Sequence, residues 1–387
     1  MSTNGNASTA INTIEQTSNK IIIAWADGHQ SAFHYIWLRD NCSCEPCGDH
    51  SGGHRFLELG DIPAAITPQA VQTDGNGGLE ITWENDGHKT HYQTDWLRAH
   101  CYTSPSERAN RRHQPILWDK SIAGNVPEAD YIKAQTDEAE RWHIHESVRT
   151  YGLCLLRNVP SEVAETERLA ELLGYVRETH YGRVFEIITT PDPAVLANSP
   201  HPIRPHTDEN FREPPPGIMV FHCLQASEDG GGVSVMTDGF KIAADLKAAD
   251  PEAYEFLSRV PIPHRRFLDT VGLRAEAPVI GLDYFGQIKE FRLNDRTMGP
   301  IDLPPELMEP AYAALRQVFD MVYDPQYHLH HLLNSGEAFA FDNARVMHAR
   351  TGFNGNRHVR LTHIGSDEFY SRWRVLSRKV NGSINRI

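Results

Sequence analysis

Two histidines, an aspartate and an arginine stand in the second half of this chain in an order that can hold a metal and an acid. His206 and Asp208 lie two positions apart in "IRPHTDENF". In an extended backbone such positions point to the same side, so an imidazole and a carboxylate can take two places around one ion. A third ligand from elsewhere would complete a face of two histidines and one carboxylate. The remaining positions would stay open, which suits Fe(II) handling oxygen. His348, after the apolar run of "EAFAFDNARVMHAR", is the candidate third ligand. Arg357 follows in "NGNRHVRLTHIG", and a fixed, two-pronged cation there suits a dicarboxylate cosubstrate. Any single one of the 21 histidines is as well explained by packing or a surface position; the combination is what carries chemistry. Zinc on the same three residues would activate water for hydrolysis, but that leaves Arg357 without a task. A non-catalytic scaffold leaves all four without one.

A second cluster stands near the start. Three of the six cysteines, Cys42, Cys44 and Cys47, fall in "NCSCEPC". In a reducing compartment such a cluster is more often a metal site than a disulfide framework. Three thiolates and a histidine make a closed structural zinc set. His50, His54 and His88 are candidates for the fourth place.

The elements that must position these residues are mostly short strands. Residues 1–20 are polar and are expected to form a disordered leader. "KIIIAWADGHQSAFHYIWLRDNC" reads as two strands around an Asp-Gly turn, and "GLEITWENDGHKTHYQTDWLRAHC" repeats the theme. A small β-rich zinc-binding domain is therefore expected over residues 21–103, with little core of its own, followed by a linker over 104–125. From residue 126 to 387 a larger domain is expected. Its opening helix ends at Gly152; "LCLLRNVP" is a buried strand; "SEVAETERLAELLG" is a helix with Ser161 as N-cap and a stop at Gly174. Short strands then dominate: "GIMVFHCLQ", "GVSVMTDGF", "APVIGL", "IKEFRLN", "EAFAFDN" and "HVRLTHIG". A helix around "PPELMEPAYAALRQVFDMVY" interrupts them. The glycines of "EDGGGV" read as a hairpin turn, since no phosphate-loop lysine follows. Strand, His-x-Asp, strands, His, Arg is the layout of a double-stranded β-helix, a jelly roll, here mainly β with flanking helices.

Composition bounds the partners. The chain has 387 residues and a formal net charge of -14. That balance argues against nucleic acid as the main partner. No apolar run approaches the roughly 18 residues of a membrane span. The N-terminus lacks the apolar core of a secretion signal, so a cytoplasmic location is expected.

Taken together, "WLRDNCSCEPC", "HTDENFREPPPGIMVFHCL", "GGGVSVMTDGF", "FDNARVMHARTGF" and "SRWRVL" resemble the γ-butyrobetaine hydroxylase and trimethyllysine hydroxylase group. These are Fe(II)/2-oxoglutarate oxygenases of the taurine dioxygenase superfamily, and the resemblance runs from about residue 21 to the C-terminus. It implies His206, Asp208 and His348 as iron ligands and Arg357 as the clamp on the distal carboxylate of 2-oxoglutarate. It implies hydroxylation of an unactivated C–H in a small amine or quaternary-ammonium compound, such as γ-butyrobetaine, trimethyllysine or a trimethylaminoalkyl phosphonate. O2 would be consumed, succinate and CO2 released, and ascorbate would serve as reductant. The resemblance favours His88 as the fourth ligand to a structural Zn(II), and implies a homodimer. In this group an aromatic cage holds the trimethylammonium by cation–π attraction. Tyr181 and Phe185 match two cage positions, while Ser199 and His363 stand where relatives carry tyrosine, and Glu209 stands where some carry an aromatic. Either the cage is rebuilt, or the substrate is a non-methylated amine or amino acid paired with Glu209. Arg292 and Asn294 in "EFRLND" are expected as polar contacts to substrate or cosubstrate.

Overall fold

The computed structural model describes residues 9–49, 53–75, 77–190, 193 and 195–382. These divide into two units, one up to His113 and one from Gln114.

In the first unit the repeated strand pattern becomes two three-stranded antiparallel sheets. One orders Ile11–Gln16, Lys20–Trp25 and Gln30–His34; the other orders Pro68–Thr73, Leu79–Trp83 and Lys89–Tyr92. Ile11–Gln16 falls inside the stretch expected as a disordered leader. It pairs with Lys20–Trp25 across a turn in which the Thr17 hydroxyl donates to the Lys20 carbonyl at 2.9 Å, and this pairing outweighs the polar composition. Alternate residues of the central strands are buried, as period-two patterning requires. Trp25, Trp83, Tyr35, Ile23 and Leu97 fill one core. The unit therefore has more apolar interior than its "small domain" reading allowed, because four of its strands and the short helices Tyr35–Asp40 and Thr94–Ala99 turn bulky side chains inward.

The second unit begins earlier than expected. Residues 114–125 are not linker: Trp118 is buried and donates its indole N–H to the Tyr151 carbonyl at 2.6 Å, and the Ile116 amide donates to Thr150. A six-stranded sheet runs in the order Val184–Ile188, His358–Ile364, Ile218–Gln225, Ala338–Asp342, Leu153–Arg157, Glu128–Asp130. A four-stranded sheet runs Ile203–His206, Val346–Arg350, Ser234–Asp238, His328–His331. Leu153, Leu155, Met219 and Phe339 of the first share a core with Met236, Leu329 and Val346 of the second. The opposite face, through Cys154, Leu156, Val220 and Ala340, packs on the helices Glu138–Tyr151, Glu165–Leu173 and Ser366–Asn381. Burial on both faces explains why "LCLL" and "AFAF" are continuous apolar runs.

Local signals mostly hold. The helix Glu138–Tyr151 stops at Gly152, whose φ of 81° is left-handed and favours glycine. The next helix starts at Glu165 with Ala164 at its N-cap, so Ser161 does not cap it. The "EDGGGV" glycines do not close a hairpin. They connect Ile218–Gln225 to Ser234–Asp238, which belong to different sheets.

One buried ion pair ties this unit together. Asp238 and Arg345 are almost wholly enclosed and meet through two bonds, at 2.9 and 3.0 Å. Asp238 also accepts the amides of Phe240 and Trp118, and Arg345 donates to the Thr150 carbonyl. Asp238→Ala leaves that guanidinium buried without its partner, so we expect a loss of about 3–5 kcal/mol in urea unfolding monitored by tryptophan fluorescence. A loss below about 1 kcal/mol would contradict this role for the pair.

Candidate active site

The edge strand Ile203–His206 pairs antiparallel with Val346–Arg350, and the register sets His206 directly across from His348. Asp208 follows in a bend whose next residue, Glu209, has a positive φ of 53°. Asn343 holds the bend: its Oδ1 accepts the Asp208 amide at 2.8 Å, and its Nδ2 donates to the Asp208 carbonyl at 3.1 Å. Thr207 between the two faces the other way, accepting the Leu293 amide on its hydroxyl.

The three side chains converge. His206 Nε2 lies 3.2 Å from one Asp208 carboxylate oxygen, and His348 Nε2 lies 3.7 Å from the other. One ligand atom from each residue falls within 4.8 Å of the others. The His206 Nδ1–H donates to the Arg204 carbonyl at 2.9 Å, which leaves Nε2 free to bind an ion. Phe221 and Phe341 pack edgewise and tilted on the His348 ring. Burial, and His206 after it, push His348 down to about 3, so it is a neutral donor. Burial by itself would raise Asp208, but His348 and His206 outweigh it and hold the carboxyl below its usual range. A quarter of the Asp208 side chain stays open to the cavity. Two imidazoles and one carboxylate converging on one point fit a divalent metal with an open face.

A cavity of about 310 Å³ surrounds this triad, within the range that small ligands occupy. Arg357 lines it, is 8% exposed, and among the described residues makes no ion pair or hydrogen bond. Gly232 backs it with a left-handed φ of 68°; a Cβ there would stand 3.1 Å from Arg357 Cδ and Nε. Gly232 thus makes room for the guanidinium. Arg350 is different, for it donates to the carbonyls of Ala197, Ser199 and His201.

Of the expected substrate contacts, Tyr181, Phe185, Glu209, Asn294 and His363 all line the cavity. Tyr181 and Phe185 have ring centroids 5.0 Å apart at 57°. His363 is buried, which pushes it down to about 4. Glu209 is ion-paired with Arg212, which also bonds His180. Asn294 uses its amide within the protein, donating to the Thr207 carbonyl and accepting the Arg296 amide. Arg292 does not line the cavity; it pairs with Glu290 at 2.8 Å and donates to the carbonyls of Arg212 and Glu213. Asn343, Arg204 and Gly232 were not singled out from the sequence. Asn343 and Gly232 sit inside quoted motifs, but their work is done through backbone bonds and free space, which leave no spacing signal.

In the first unit Cys42, Cys44 and Cys47 gather on His88, with sulfur to Nε2 distances of 3.3, 3.4 and 3.5 Å. Burial and the neighbouring thiols push Cys44 up to about 12. Four soft donors around one point fit a tetrahedral zinc ion, which would hold the thiols as thiolates. His54 is exposed and outside this group, and His50 lies outside the described residues.

The sequence matches the γ-butyrobetaine hydroxylase-like N-terminal family over residues 12–98 and the taurine catabolism dioxygenase TauD, TfdA family over residues 112–363. It is 34% identical to a γ-butyrobetaine dioxygenase of Pseudomonas sp. strain AK-1, covering 92% of this chain and 94% of that one. It is 32% identical to a trimethyllysine dioxygenase of Meyerozyma guilliermondii, covering 92% and 93%, and 27% identical to the human γ-butyrobetaine dioxygenase, covering 93% and 95%. The chain belongs to the taurine catabolism dioxygenase TauD, TfdA family and carries the N-terminal domain of its γ-butyrobetaine hydroxylase-like members.

Proposed function

We propose that this chain is an Fe(II)- and 2-oxoglutarate-dependent hydroxylase of a small quaternary-ammonium compound. The observation that carries this is the convergence of His206, Asp208 and His348 in a cavity that also holds Arg357, which among the described residues makes no ion pair or hydrogen bond. Bound Fe(II) with 2-oxoglutarate supplies the oxidising chemistry that splits O2 between succinate and the hydroxylated product. The residues do the rest. His206 and His348 present their Nε2 atoms, and Asp208 supplies the one negative charge of the ligand set. Arg357 grips the distal carboxylate of 2-oxoglutarate through two parallel bonds. Tyr181 and Phe185 offer ring faces to the cation. Glu209 is paired with Arg212 through one carboxylate oxygen, which offsets the counter-charge a free amine would need and supports the trimethylated substrate. Zinc on Cys42, Cys44, Cys47 and His88 is structural, since protein fills all four places. Assembly as a homodimer and a cytoplasmic location belong to the same proposal; among the described residues no helix is long and apolar enough to cross a membrane.

The test is succinate release with Fe(II), ascorbate, O2 and 2-oxoglutarate. The panel holds γ-butyrobetaine, trimethyllysine, a trimethylaminoalkyl phosphonate and their unmethylated counterparts. Stimulation by a trimethylated compound at least ~10-fold above its free-amine counterpart is expected; the reverse order would return Glu209 to the substrate. Gly232→Ala checks the clamp. A side chain at positive φ costs about 1–2 kcal/mol, and the new methyl presses on Arg357. The KM for 2-oxoglutarate should rise about 10-fold, equivalent to 1.4 kcal/mol, with the melting temperature within a few degrees of wild type. An unchanged KM would remove Arg357 from cosubstrate binding.

A further inference from the structure

A thiol and an imidazole outside the zinc ligand set also meet in the first unit. The two strand–helix repeats of this unit match in detail. Trp25 donates its indole N–H to the Ser31 hydroxyl at 2.8 Å, and Trp83 donates to the Thr90 hydroxyl at 2.8 Å. The turn after each tryptophan is held in the same way. The His29 amide donates to the Asp27 carboxylate at 3.0 Å, and the His88 amide to the Asp86 carboxylate at 2.9 Å. Each helix is followed by a cysteine whose amide donates to an arginine carbonyl, Cys42 to Arg39 at 3.3 Å and Cys101 to Arg98 at 3.4 Å.

Contacts between the repeats are reciprocal. Arg39 of the first pairs with Asp86 of the second at 3.5 Å, and Arg98 of the second pairs with Asp27 of the first at 3.2 Å. Exchange of this kind marks a two-fold relation. The zinc site crosses in the same sense, with His88 of the second repeat 3.3 Å from Cys42 of the first. The reverse crossing sets His29 of the first repeat against Cys101 of the second, and His29 Nε2 lies 3.4 Å from Cys101 Sγ. The three sulfur–nitrogen distances of the zinc site are 3.3, 3.4 and 3.5 Å. The repeats part beyond this point. "CYTSPS" answers "CSCEPC", so Thr103 and Ser106 stand where the first repeat has Cys44 and Cys47. The Thr103 hydroxyl accepts the Ala32 amide at 2.7 Å.

Resting on the zinc assignment above, we propose that His29 and Cys101 are a second metal site, the two-fold counterpart of the first, for a thiophilic divalent ion of the zinc and cadmium class. One sulfur and one imidazole nitrogen at this separation span an edge of the tetrahedron that the first site closes. Binding sends the Cys101 thiol proton to solvent and leaves a thiolate on the ion. Water fills the two remaining positions, so this ion exchanges while the four-donor site keeps its zinc. Cys101 is fully buried and His29 half-buried, so the imidazole is the side from which an ion enters. Like the first site, this one clips one repeat to the other.

Titration of Cd(II) into the full-length protein, loaded with zinc and Fe(II) and kept without oxygen, tests this. Cadmium bound to a thiolate absorbs in the ultraviolet, whereas cadmium on the imidazoles and carboxylate of the iron site does not. Native mass spectrometry counts the metals in parallel. Wild type should gain one cadmium with a thiolate band, keep its zinc, and bind that cadmium at least ~100-fold more weakly than the first site holds zinc. Cys101→Ser should abolish the band. His29→Gln, at a half-buried turn position, should weaken cadmium at least ~10-fold without unfolding the unit. No band in wild type, a band bought by equal loss of zinc, a band that persists in Cys101→Ser, or unchanged affinity in His29→Gln would each overturn the second site. The zinc count of the untreated protein reports the first site separately. Zinc present beside a failed titration sinks the second site alone; zinc absent sinks the assignment on which it rests.

Discussion

Asp208→Ala should reduce substrate-driven succinate release by at least ~1000-fold, a loss of about 4 kcal/mol of transition-state stabilisation. Asp208 is the one anion among the three converging ligands. Without it the site keeps two imidazoles, and a divalent ion loses its charged partner. The fold should survive, for a local reason. The bend is held by bonds from Asn343 to the Asp208 backbone amide and carbonyl, and these do not involve its side chain. The variant should therefore show wild-type circular dichroism and zinc content together with lost iron. Asp208→Asn separates shape from charge: the carboxamide fills the same space, and we expect it to fail nearly as badly. Succinate release in Asp208→Ala within a few-fold of wild type would sink the iron assignment at these three residues.

Cys44→Ser should empty the other metal site and destabilise the first unit alone. Structural zinc in small domains binds with apparent free energies of about 10–16 kcal/mol at neutral pH, against a total stability of about 5–15 kcal/mol for a typical domain. The Trp25 and Trp83 core means that the unit need not unfold outright. A loss of several kcal/mol at about 4–8 °C per kcal/mol in a domain of this size lowers its melting by at least ~15 °C. His88 stands just before Lys89–Tyr92, and the cysteines follow the helix Tyr35–Asp40, so the metal ties the two strand-helix repeats together. Zinc content by mass spectrometry and a scanning-calorimetry trace give the readout. Normal zinc in the variant would contradict the ligand set.

Much of the site was legible because it is written in local terms. His206 and Asp208 are separated by one residue, and an extended backbone is enough to put them on one side. Cys42, Cys44 and Cys47 are likewise close in the chain. Gly152 ends its helix where a left-handed residue is required. Other features misled for equally local reasons. Ile11–Gln16 is polar in composition, and only its partner strand makes it a strand. Ser161 has the side chain of an N-cap but not the position, because the backbone turns helical only at Glu165. The glycines at 230–232 look like a hairpin, yet they cross between sheets, and Gly232 clears space for Arg357.

By itself the sequence determined which donors were available, the strand and helix periods, and the two motifs whose members are near neighbours. The tertiary structure decided what meets across long separations. It sets His348 opposite His206 through one strand register, and brings His88 to the three cysteines rather than His54. It gives Glu209 to Arg212 and turns Asn294 inward to Thr207. It leaves Arg357 facing the cavity with, among the described residues, no ion pair or hydrogen bond. Pairing across sheets and the neutralisation of buried charge depend on distances between elements, and a linear order of residues does not contain those distances.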